Sequence, residues 1–115
     1  MSDIADVRFS TTGQVPVAHV FGEVDLSNAR LIRRAIELGS TNQEPGLIVD
    51  LSEVRFLDSS GIHMLFDLAR RCAERQQSFA IVVPPESPVR RSLDLSGGLS
   101  SLHVLSSVAE FPAPA

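Results

Sequence analysis

The residues best suited to chemistry in this sequence form one short polar run, Asp58-Ser59-Ser60-Gly61, directly before an apolar stripe that begins at Ile62. A serine nucleophile there needs a general base. Of the three histidines, His19, His63 and His103, His63 lies one helical turn beyond Ser59, but no G-x-S-x-G elbow surrounds either serine. A phosphate-cradling loop of the GxxxxGK[ST] kind needs a lysine, and all ten basic residues are arginine. A metal centre needs clustered His, Cys or carboxylates; with one cysteine and no HxxxH or HExxH spacing, neither a metal nor a cofactor site is expected. The plain alternative is helix capping, because Asp is among the best N-cap residues and Ser is tolerated in a first turn. On these residues alone the run reads as a capped helix start, and the chain as no enzyme.

Two further polar groups read as structural. Gly22-Glu23-Val24-Asp25 suits a strand end, a turn and a helix cap, and Leu93-Asp94-Leu95-Ser96-Gly97 suits a helix end with glycine in the left-handed region. Arg90-Arg91 reads as a solvated pair, His19 and His103 as packed or edge residues of strands.

The elements that position these groups follow from apolar spacing. Residues 7–10 and 15–21 read as two extended segments around a Gly13 turn, with Pro16 at a strand end or edge. Ala29, Ile32, Ala35, Ile36 and Gly39 recur at helical spacing after Asp25 or Ser27 as N-cap, with Arg30, Arg33, Arg34 and Glu37 on the other face. Residues 47–51 (LIVDL) and 79–83 (FAIVV) read as strands covered on both faces, and residues 52–57 as a connector. Ile62, Leu65, Phe66, Ala69, Cys72 and Ala73 form a second helical stripe, with Asp67 placed to pair with Arg71. Ser87-Pro88 starts a third helix that Gly97-Gly98 stops, and residues 102–105 form a last strand. Strands alternating with helices imply parallel pairs joined by right-handed crossovers. The expected fold is therefore α/β: one small domain over residues 5–108, with a mixed central sheet of about five strands and helices mainly on one face. Residues 109–115, with two prolines, are expected to be a disordered tail.

Composition bounds the rest. At 115 residues, 43% hydrophobic and 21% charged, the chain holds one domain. A formal net charge of −4 argues against a nucleic-acid grip, and no apolar run approaches the ~20 residues of a membrane span. A lone cysteine and no signal-like start suit a reducing, cytoplasmic setting.

Taken in order, Gly22-Glu23-Val24-Asp25, Ile48-Val49-Asp50-Leu51, Asp58-Ser59-Ser60-Gly61-Ile62 and Leu95-Ser96-Gly97 resemble the STAS domain, and more narrowly the bacterial anti-sigma factor antagonists (anti-anti-sigma factors). The resemblance implies a monomeric protein that binds an anti-sigma factor, itself a serine kinase, and so releases a sigma factor. It implies phosphorylation at Ser59, with Ser60 as rival acceptor, and reversal by a cognate phosphatase. It further implies a partner-binding surface made by Glu23, Asp25, Asp58, Ser60, Gly61, Ile62 and His63. Against the family pattern, His63 replaces a small residue, Gly97-Gly98 carries an extra glycine, and the last helix is short or absent. Competing readings are a STAS subunit of a lipid-transport or stress-sensing complex, and a small hydrolase using Ser59 and His63.

Overall fold

A computed structural model describes residues 6–40 and 43–111. Strands β1 (Asp6–Thr12) and β2 (Val15–Val24) form an antiparallel hairpin around Gly13, whose φ of 61° is the left-handed conformation such a tight turn requires. Helix α1 (Ala29–Gly39) crosses to β3 (Gly46–Leu57), α2 (Ser59–Glu74) to β4 (Ser78–Val82), and α3 (Arg90–Leu95) with the short α4 (Gly98–Ser101) to β5 (Val104–Leu105). The sheet order is β1-β2-β3-β4-β5; after the hairpin every pair is parallel. The result is the expected single α/β domain with a mixed five-stranded sheet.

Period-two alternation divides the sheet into two faces. Ala18, Val20, Leu47, Val49, Leu51, Ile81 and Val83 point to one side and pack with Ile32 and Ile36 of α1, Leu65 and Leu68 of α2, and Leu93 of α3. Val15, Val17, Ile48, Ala80, Val82 and Leu105 point to the other, where Val108 and Phe111 lie against them. Cys72 is buried at the inner face of α2; desolvation pushes its thiol up from the ordinary value, while Arg75 and Arg71 pull the other way.

Several local expectations are corrected. Residues 52–57 are no connector: they extend β3 to twelve residues, with Val54 and Leu57 buried, and pair with the far end of β2 through Gly22↔Val54 and Val24↔Leu57. Correspondingly, Gly22-Glu23-Val24 continues β2, and Gly22 (φ 102°) sits beside a register shift that only glycine accommodates without strain. The N-cap of α1 is Asn28, not Asp25 or Ser27. Its side chain accepts from the Asp25 amide and donates to the Glu23 carbonyl, both at 2.9 Å, so it fastens the loop and not the helix. Asp67 pairs with Arg33 and Arg70 at 3.1 Å, and Arg71 reaches Glu37 instead of Asp67. Helix α3 starts at Arg90, two residues after Pro88; the short α4 follows where the sequence carries no helical pattern, and Gly97 does take the left-handed conformation. Val108–Glu110 form a 3-10 turn, the last helical element among the described residues, and Phe111 packs on the sheet. The rest of the expected tail, residues 112–115, and the expected domain start at residue 5 lie outside the described residues.

Candidate functional site

Helices α1 and α2 begin side by side, beyond the ends of β2 and β3. Asp58 sets both starts. Its Oδ1 accepts from the amides of Ser60 at 2.8 Å and Gly61 at 3.2 Å, an N-cap for α2. Its Oδ2 accepts from the Leu26 amide at 3.2 Å, across the chain in the β2–α1 loop. The backbone repeats the link, the Asp58 amide donating to the Val24 carbonyl at 3.2 Å. One carboxylate thus fastens two loops that are 32 residues apart in sequence.

Ser59 is the first residue of α2 and is exposed. Ser60, half-buried, turns toward a groove of about 470 Å³ between α1 and α2, where it meets His63, Met64, Leu26, Leu31 and Arg30. Leu26 and Leu31 are 81% and 69% exposed and line the same groove, which makes them a shared apolar wall. Across the groove floor Arg33 bridges the helices, donating to Glu37 at 3.0 Å and to Asp67 at 3.1 Å.

The expected surface residues separate into two groups. Glu23 and His63 are exposed, and Asp25 and Asp58 are half-buried, with their carboxylates engaged in holding loops; Asp25 accepts from the amide and hydroxyl of Ser27. Gly61 and Ile62 are not surface residues. Ile62 joins the core, and a Cβ on Gly61 would press on Leu57 and come within 2.9 Å of Val24 Cγ1. Their role is to let α2 sit close to the sheet and so hold the serines at its rim. No hydrogen bond joins Ser59 to His63 among the described residues, and no group of three or more His, Cys, Asp or Glu there could hold a metal. No described helix is long and apolar enough to cross a membrane. The groove's apolar wall escapes a reading of the sequence, because Leu26 lies in a loop and Leu31 on α1, and only the docking of α1 against α2 sets them along one groove.

The fold has known counterparts. An anti-sigma factor antagonist from Mycobacterium paratuberculosis superposes with a TM-score of 0.82 at 24% identity, covering 93% of this chain and 90% of that one. An anti-sigma-factor antagonist (STAS) domain protein from Planctomyces limnophilus gives 0.77 at 23% identity, covering 94% and 95%. The anti-sigma factor antagonist SpoIIAA in its unphosphorylated form gives 0.63 at 22% identity, covering 91% and 92%. No curated protein matches the sequence. The STAS domain family model matches residues 6–111, nearly the whole described chain, and the protein belongs to the STAS domain family.

Proposed function

We propose that the protein is an anti-sigma factor antagonist: it docks on an anti-sigma factor with serine kinase activity, releases the sigma factor, and is switched off when that kinase phosphorylates Ser59. The observation that carries this reading is the exposed Ser59 hydroxyl at the first position of α2, beside a groove with a leucine wall. Apolar side chains held in water give a partner area to bury, and burying a leucine contributes about 2 kcal/mol.

A phosphate on Ser59 adds about −1.5 to −2 charges at pH 7. The first-turn amides of Ser60 and Gly61 are already taken by Asp58, so the new charge sits beside an occupied cap and next to a carboxylate. It leaves the core untouched and changes what can dock. Each 1.4 kcal/mol lost at the interface weakens binding tenfold, so a few kcal/mol suffice for a switch. A cognate phosphatase resets it. The protein acts in this scheme as a cytoplasmic monomer, with no nucleic-acid or membrane contact and no cofactor.

The test mixes the protein with candidate anti-sigma kinases and ATP, and reads complexes and phosphate incorporation by intact-mass and fragment mass spectrometry. Ser59→Ala is expected to abolish incorporation while retaining complex formation. Loss of phosphate in Ser60→Ala but not in Ser59→Ala would move the acceptor to Ser60 and refute the assignment.

A further inference from the structure

On the sheet face away from α1 and α2, strands β1, β2 and β3 bring together three side chains distant in sequence. Ser10 Oγ lies 2.7 Å from His19 Nε2, and His19 Nδ1 lies 2.7 Å from Asp50 Oδ2. Sheet register produces this contact: His19 pairs directly with Asp50, and Ser10 pairs with Val17, one diagonal step from His19 on the same face. Asp50 is held from its other oxygen, Oδ1 accepting from the Ser52 amide at 3.0 Å and hydroxyl at 2.7 Å. An ionised carboxylate only accepts hydrogen bonds, so it selects the imidazole with hydrogen on Nδ1 and leaves Nε2 to accept from the Ser10 hydroxyl. Exposure rises along the chain of contacts, from 12% for the Asp50 side chain to 28% for His19, with Ser10 exposed. Arg8, which faces His19 across the hairpin, is engaged by Asp6 at 2.9 Å and rests over the Phe21 ring.

This is the connectivity of a serine nucleophile with its base and orienting acid. We propose that Ser10 is a nucleophile activated by His19 and Asp50, and that it accepts the acyl group of small activated carboxylic esters. Ser10 Oγ forms a bond to the carbonyl carbon while its proton passes to His19 Nε2. The tetrahedral adduct then breaks its bond to the leaving oxygen, which departs with that proton. Water attacks the acyl-serine, gives one proton to Nε2, and releases the carboxylic acid as Ser10 regains the proton. Ser10, exposed on the edge strand β1, suits unhindered donors with good leaving groups. The site lies on the opposite side of the sheet from Ser59 and stands or falls independently of the anti-sigma reading.

The experiment incubates the full chain with p-nitrophenyl acetate and, separately, with a fluorophosphonate probe, following p-nitrophenolate release and mapping adducts by fragment mass spectrometry. Expected are an acetyl group and a phosphonyl group on Ser10, neither of them there in Ser10→Ala. The rate at Ser10 should fall about 100-fold or more in His19→Gln, the scale of a lost general base. Asp50→Asn, which turns the imidazole the wrong way, should slow it comparably, with circular dichroism confirming the fold. Adducts confined to other residues, or a Ser10 rate unchanged in His19→Gln, would overturn the proposal.

Discussion

Removing the Asp58 carboxylate isolates the side chain that fastens both walls of the groove. In Asp58→Ala the amides of Ser60, Gly61 and Leu26, bonded at 2.8, 3.2 and 3.2 Å, lose their acceptor together. Truncating an N-cap to alanine costs about 1 kcal/mol. The bond to Leu26 is long and exposed, so its loss adds about 1 kcal/mol, below the usual range for a charged acceptor. The sum is about 2 kcal/mol. For a chain of this length 1 kcal/mol shifts the melting midpoint by about 4 °C, so Asp58→Ala should melt about 8 °C lower. Asparagine caps as well as aspartate, but its Nδ2 only donates and cannot accept from the Leu26 amide, so Asp58→Asn loses that bond of about 1 kcal/mol and should fall by about 4 °C. Thermal unfolding of the three proteins, followed by circular dichroism, decides the matter. An alanine variant that melts with the parent, or an asparagine variant that falls as far as alanine, would refute the claim that the cap holds this region.

Three more outcomes rest on particular contacts. Leu31→Asp, at a 69% exposed position, should leave the melting temperature within about 2 °C but weaken capture by the cognate anti-sigma factor at least tenfold in a titration. Gly61→Ala gains helix propensity of about 1 kcal/mol but forces a methyl against Leu57 and Val24, so a net loss of about 1 kcal/mol in urea unfolding is expected, and a gain would contradict the close packing. The Cys72 thiol is raised by burial, so its contribution to stability is complete below the unfolded value near 9.0 and is lost as pH rises through the higher folded value. Chemical denaturation at pH 8 and 10 should show that loss, and it should shrink in Cys72→Ala.

The fold was legible where local pattern suffices. Ala29, Ile32 and Ile36 mark α1 by spacing alone, and Asp58 announces the start of α2, because a cap is a contact between residues two and three apart. What escaped was non-local. Residues 52–57 look like a connector, since Ser52, Glu53 and Arg55 are polar. They become strand because the far end of β2 offers them backbone partners. Asp58 reads as a cap in sequence, but its bond to Leu26 depends on two crossovers placing the loops together. His19 looks like an ordinary strand residue until register sets it beside Asp50 and near Ser10. Gly61 and Ile62 were misplaced for a related reason: adjacency to the exposed Ser59 says nothing about which side of the helix meets the sheet.

The unbroken strand order bears on how the chain assembles during its synthesis. Every strand emerging from the ribosome finds its docking edge already built by the one before it, so no segment waits for a later one to be inserted between its neighbours. By Glu74 the nascent polypeptide contains β1, β2, α1, β3 and α2, hence the Ser59 groove and the Ser10 contacts alike. The remaining third completes one flank of the sheet. The Ser59 groove and the Ser10 contacts are thus both built from elements that precede Arg75, and the later elements close one flank of the sheet.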